Sequence, residues 1–189
     1  MVSRLVAGAA ALLLFPLGAA RAENYRNDEF GITAELPDGV LICRARADEH
    51  DHGFFVSLQP SSRRSCRTRN HLRYIDLFAY YNVIDETATL EQYRASTCRD
   101  YRPRKCLPAP PLPPLGTGAN TSARVERERG WTDIFVLTQY GKAPNQPATD
   151  PAPFVNCSVT LHTDRAHFRR DFRRLEAVLS AIRLGSPEQ

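Results

Sequence analysis

The run Asp48-Glu49-His50-Asp51-His52 is the densest group of metal-ligand side chains in the chain. On an extended segment alternate residues project to the same side. His50 and His52 would then face one way, with Glu49, Asp51 or a remote group adding a carboxylate, a donor set that suits a transition metal. A metal held there would make the protein a small metal-dependent hydrolase. Two histidines need a third, remote ligand, and His71 and His162 are the candidates if the fold brings them close. The same run also fits a solvated turn between two strands. No cofactor is expected beyond that metal at His50 and His52.

Asp76 stands inside an apolar stretch, on one face with Tyr74, Phe78 and Tyr80. A half-buried carboxylate among tyrosines can act as a general acid or base. Asp76, Tyr80 and Asn82 therefore mark a candidate pocket; the plainer reading is an acid bonded to a neighbouring strand near a sheet margin. A cysteine nucleophile would need a base in reach of its thiolate. Cys98, with His71 or His167, is the nearest approach to that pattern, but it lies at a helix C-terminus, which does not favour a thiolate. No G-x-S-x-G nucleophile elbow occurs. Arg165, Arg169, Arg170, Arg173 and Arg174 form a basic stripe that could meet an acidic protein or anionic lipid, or be a solvated helix face that Asp171 and Glu176 dilute. The P-x-x-P spacings of Pro108 to Pro114 read as a rigid connector. Asn120-Thr121-Ser122 and Asn156-Cys157-Ser158 match the glycosylation pattern, the second within a strand.

The positions of those residues depend on where the chain works. Arg4, the apolar run Leu5 to Leu17, and the small residues Ala20 and Ala22 make a secretory leader, residues 1–22, cleaved near Ala22. The apolar stretch is too short to span a bilayer, and no later one is longer. No cysteine stands directly after the cleavage position, where Glu23 begins the mature chain, so no lipid anchor is expected. The mature protein, residues 23–189, is then one periplasmic or secreted domain. It loses Arg4 and Arg21, leaving 23 basic against 21 acidic residues, a formal +2 rather than +4. So small a charge, in that location, gives no reason to expect nucleic acid.

An oxidising compartment makes disulfides the default for cysteines. Five are present, Cys43, Cys66, Cys98, Cys106 and Cys157, so at most two bridges form within the chain. Cys98 with Cys106 is the preferred pair, Cys43 with Cys66 the next. Cys157 is left over, on the apolar side of an alternating strand, where it reads as a small inert hydrophobe.

Strands are expected at Gly31 to Leu36, Val40 to Ala45, Gly53 to Leu58, His71 to Asn82 and Phe154 to His162. A hairpin is expected from Thr121 to Tyr140. His71 to Asn82 is apolar on both faces and reads as a central strand. Thr89 and Gln92 form a capping box ahead of a helix carrying Leu90 and Tyr93. Leu107 to Gly116 holds five prolines and reads as a stiff internal linker, residues 107–116, with neither helix nor ladder. Phe168, Phe172, Leu175, Leu179 and Ile182 repeat at helical spacing, stopped by Gly185 and Pro187. The order predicts an α+β domain: a mainly antiparallel twisted sheet of about six strands flanked by two main helices.

Tyr25-Arg26-Asn27-Asp28-Glu29-Phe30-Gly31-Ile32, followed by Leu36-Pro37-Asp38-Gly39, resembles the opening "Y-x-N-x-x-F/Y-G-F … P" strand and turn of the Mog1/PsbP-like group of small secreted or organelle-lumen domains. The closing helix, Leu175 to Arg183, resembles that group's terminal helix. The elements between fall in the expected order. The resemblance implies a non-enzymatic role, since the group consists largely of assembly factors, accessory subunits and lipoproteins. Five cysteines, two proline-rich loops and the lack of a lipid-attachment cysteine set this chain apart.

The expectation is a non-enzymatic periplasmic protein that acts by protein or ligand binding, in an accessory or toxin-neutralising role. A protein partner is expected, met through Asp48–His52, Lys142–Pro153 or the basic helix face. The alternative is the small secreted hydrolase built on His50 and His52.

Overall fold

The computed structural model describes residues 23–37, 40, 42–44, 51–59, 73–81, 89–100, 105–142 and 154–185. Residues 1–22, 48–50 and 143–153, with Cys66, His71 and Asn82, lie outside them.

The described strands are β1 (Glu23–Asn27), β2 (Ile32–Leu36), β3 (Ile42–Arg44), β4 (Gly53–Ser57), β5 (Tyr74–Tyr81), β6 (Cys106–Leu107), β7 (Asn120–Glu126), β8 (Trp131–Lys142), β9 (Phe154–Asp164) and β10 (Ile182–Leu184). The helices are α1 (Leu90–Arg99) and α2 (Phe168–Ala181). One sheet has seven strands in the order β3-β4-β5-β9-β8-β7-β6, the other three in the order β1-β2-β10. Every pairing is antiparallel. The α+β class holds. The strands beyond those expected are β1, β6 and β10, the last two only two and three residues long, too short to show a period of two.

Alternation sets the two faces of the large sheet. Ile75, Leu77, Ile134, Val136, Val159 and Leu161 are buried on the face that meets α2 and the small sheet. α2 closes that layer with Leu175, Val178 and Leu179, as the helical spacing predicts. On the opposite face α1 sets Tyr93 against Val125, Phe135 and Leu137. The capping box is formed: Gln92 N donates to Thr89 Oγ1 at 3.1 Å, and Thr89 N donates to Gln92 Oε1 at 2.9 Å. β5 lies inside the sheet, between β4 and β9, but only one of its faces is fully covered. Phe78, on the α1 side, is 43% exposed.

α2 does not run on to Gly185. It ends at Ala181, Ile182 turns to an extended conformation (ψ 135°), and the chain pairs at once with β2. Ile182 is buried there. The otherwise open edge of β2 explains the early stop: three residues of ladder cover it, and Gly185 N–H donates to Gly31 O at 2.9 Å to close the junction. Asp171 departs further from expectation. It does not dilute the basic stripe but is fully buried on the inner face of α2.

Cys98 and Cys106 are joined by a disulfide. Cys43 is disulfide-bonded too, while Cys66 lies outside the described residues. Cys157 is a free thiol at zero exposure, and burial pushes its pKa up to about 12. The Cys98–Cys106 bond ties the end of α1 to β6 across eight residues. Closing so small a loop contributes about 2–3 kcal/mol, chiefly by restricting the unfolded chain. A Cys98→Ser/Cys106→Ser variant should lose that amount in urea unfolding, with the oxidised protein as reference; a loss under about 0.5 kcal/mol would show that α1 is held by packing alone.

Candidate functional site

β6 is brief for a chemical reason. Its ladder with β7 covers Cys106↔Val125 and Leu107↔Arg124, then meets Pro108. Proline has no N–H to donate, and Pro108, Pro110, Pro111, Pro113 and Pro114 remove most of the donors from the next seven residues. The strap therefore runs beside β7 without zipping onto it. Leu107 joins the ladder, and residues 108–114 are neither helix nor strand.

The strap is fixed at both ends. The disulfide holds its start. At its end Leu115 is wholly buried, and its N–H donates to Asn120 Oδ1 at 2.8 Å. Ala109 and Leu112 pack on the main core in between. What remains between strap, β7 and α1 is a groove of about 580 Å³. Its floor and walls are the five prolines with Ala109, Leu112 and Val136; Asn120, Thr121 and Ser122 supply polar groups, and Arg94 the charge. Its volume falls in the range of small-molecule sites. Arg94 reaches from α1 to β7, where Nε donates to Ser122 O at 3.4 Å. Neither Arg94 nor the groove stood out in the sequence. The available signal was a proline run directly after a helix closed by a cysteine pair.

A second cluster lies on the α1 side of the sheet. His162 stacks between Trp131 (ring centroids 4.6 Å, 6° between planes) and Tyr74 (5.0 Å). Its Nδ1 lies 2.5 Å from Asp133 Oδ1, and Asp133, 1% exposed, also pairs with Arg127. The arrangement fixes the ring on both faces and at one nitrogen. His162 is accordingly held by its own sheet.

The other sequence candidates fall in separate places. His52 lies where β4 begins, its Nδ1 2.9 Å from Ala79 O, with the rings of Phe30 and Phe78 at 5.7 and 5.2 Å. One nitrogen thus serves the fold, while His50 is outside the described residues. Among the described residues no group of three or more His, Cys, Asp or Glu side chains is placed to hold a metal ion. Asp76 sits in register with Phe55 and Thr160 on the half-covered face; Tyr80 packs edge-on against Tyr93 under α1 at 6.0 Å. Cys98 is oxidised, so it offers no thiolate. His167 is bonded to Asp164 at 2.8 Å. Arg165, Arg169, Arg170, Arg173 and Arg174 are exposed, as a stripe should be, though Arg174 donates to Leu58 O at 3.4 Å and Arg170 lies 3.3 Å from Asp171. Asn156, of the second glycosylation pattern, is fully buried and accepts from Gln139 at 2.9 Å.

The opening motif turns out to be structural. Asn27 Oδ1 accepts from Phe30 N–H at 2.9 Å, and its Nδ2 donates to Tyr25 Oη and Asp51 O at 3.2 and 2.5 Å. Tyr25 Oη donates to Asp51 Oδ1 at 2.9 Å, and Tyr140 Oη to Phe30 O at 2.7 Å. Gly31 takes φ 63°, a dihedral that glycine reaches without strain. Tyrosine, asparagine, phenylalanine and glycine at this spacing thus lock the β1–β2 turn to the large sheet.

No helix among the described residues is long and apolar enough to cross a membrane. No protein-family model and no curated protein matches the sequence. Among solved structures the chain is similar to cyanobacterial PsbP (CyanoP) from Synechocystis sp. PCC 6803, over 94% of this chain and 98% of that one, at 11% sequence identity and a TM-score of 0.49. The likeness is one of fold.

Proposed function

We propose that the protein is an exported accessory protein that acts by binding, and that the proline-walled groove is its ligand site. The observation that carries this reading is the groove: about 580 Å³ held open by a strap that cannot pair with its neighbour and is anchored by a disulfide at one end and a buried leucine at the other. Walls fixed in advance lower the ordering cost of binding. Export is supported by the leader pattern of residues 1–22 and by cysteines that are disulfide-bonded. A metal-dependent hydrolase on His50 and His52 has no observation that favours it: among the described residues no group of three or more His, Cys, Asp or Glu side chains is placed to hold an ion.

Titration of the mature, oxidised protein with the neutral dye N-phenyl-1-naphthylamine tests the site. Saturable fluorescence is expected, and Thr121→Trp, which puts an indole into the groove, should abolish it while leaving the melting temperature in place. Fluorescence that survives the substitution would place the dye elsewhere and remove the groove as a ligand site.

A further inference from the structure

We infer that the groove selects a small monoanionic amphipathic molecule, one carboxylate or sulfonate on an apolar body, with Arg94 as its anchor. The inference rests on the groove being a binding site and adds the class of ligand. Among the described residues the lining contains a single charged one, Arg94; the rest is proline, alanine, leucine and valine with three neutral polar side chains. One cation without a lining acid matches one anionic charge. A second anionic group would find no counter-charge there, and an apolar molecule would have to bury the guanidinium unpaired, which costs free energy.

The guanidinium also has donors to spare. It carries five N–H groups in a planar fork. Nε uses one on Ser122 O. That bond caps a strand carbonyl beyond the end of the β6–β7 ladder, so part of what Arg94 does is structural. It leaves the two terminal nitrogens, and among the described residues Arg94 has no ion pair. A fork tied down at Nε presents its Nη groups in a fixed direction, the geometry in which arginine takes a carboxylate or sulfonate by two parallel bonds. The ligand's apolar body would lie along the prolines, Leu112 and Val136, and the hydroxyls of Thr121 and Ser122 are at hand for any further polar atom.

A matched pair of dyes separates this proposal from the one it rests on. 8-Anilinonaphthalene-1-sulfonate is N-phenyl-1-naphthylamine with one sulfonate added. The wild-type protein should bind the sulfonate at least about tenfold tighter than the neutral dye. Arg94→Gln should erase that preference by weakening the sulfonate, while the neutral dye, no longer burying an unpaired guanidinium, should bind at least as well as before. Arg94→Lys, which keeps the charge and loses the fork, should recover only part of it. Decanoate should displace the sulfonate from the wild-type protein and fail to do so in Arg94→Gln; an apolar tetrapeptide with a free C-terminal carboxylate competing better than decanoate would replace the small molecule with a peptide end as the occupant. Equal affinity of the two dyes, or a preference that survives Arg94→Gln, would overturn the anionic class while leaving the groove as a site. Binding of neither dye would overturn both. A near-ultraviolet circular dichroism spectrum unchanged in Arg94→Gln shows that any loss is not unfolding.

Discussion

Asp171→Asn is expected to destabilise the protein by about 3–5 kcal/mol, the cost of breaking a buried ion pair by removing one partner. Asp171 is at zero exposure. Its Oδ2 lies 2.6 Å from Arg73 Nη1 and accepts from Thr163 Oγ1 at 2.7 Å. Arg73 is nearly as buried, and its Nη2 donates to Leu58 O at 3.2 Å. The amide keeps the volume and deletes the charge, so Arg73 is left inside the fold with only Asp164, 3.7 Å from its Nε, as counter-ion. Urea unfolding measures the loss. The double variant Arg73→Met/Asp171→Leu should recover most of it, since an apolar pair of similar volume is often no less stable than a buried salt bridge. A loss below about 1 kcal/mol in Asp171→Asn would mean that Arg73 finds solvent or another acid on its own.

The neighbouring Asp164 gives the same corner a pH dependence. Burial pushes its carboxyl up, but hydrogen bonds from the side chain and backbone of His167, and the charges of His167 and Arg73, outweigh burial and hold it below the usual carboxylate range. A carboxyl that is more acidic folded than unfolded lends stability that is complete above its unfolded value of about 3.9 and is lost as pH falls through the lower folded value. Acid unfolding should therefore begin below about pH 4, and Asp164→Asn should flatten that part of the stability curve. An unchanged slope would assign the acid loss to other carboxylates.

These residues show what could be read in the sequence and what could not. The capping box at Thr89 and Gln92 and the apolar spacing of α2 are local, complete within one or two turns, and both formed as expected. Asp171 was the clue in plain sight. Phe168, Asp171, Phe172 and Leu175 follow i, i+3, i+4, i+7, so the acid lies on the apolar stripe, but only a partner makes that tolerable, and Arg73 is 98 residues away. The same distance problem hid Asp133 from His162, 29 residues apart on neighbouring strands. The type of His52 and its spacing from His50 are visible in the sequence, whereas its contact with the Ala79 carbonyl depends on the β4–β5 register. The groove is a further step removed. The prolines announced a stiff segment, but a cavity exists only because that segment runs beside β7 and Arg94 crosses to meet it.

Asn27→Ala carries the largest effect expected outside that ion pair, about 3–4 kcal/mol. It strands the buried Phe30 N–H and removes the donor to Asp51 O and Tyr25 Oη, at about 1–3 kcal/mol for each buried group left unpaired. Tyr25→Phe removes the bond to Asp51 and the one accepted from Asn27 Nδ2, which keeps its bond to Asp51 O, and leaves the ring against Phe54 at 4.9 Å, so it should cost less, about 1–2 kcal/mol. The ranking distinguishes two views of the opening motif. If the motif is a lock for the β1–β2 turn, stability follows the count of stranded groups, and affinity for the anionic dye is the same in both variants, because nothing in the lock lines the groove. If the motif instead forms part of a binding surface, Asn27→Ala would change affinity more than stability. Urea unfolding and dye titration on the same two variants decide between them, since the lock requires a loss in the first measurement and none in the second.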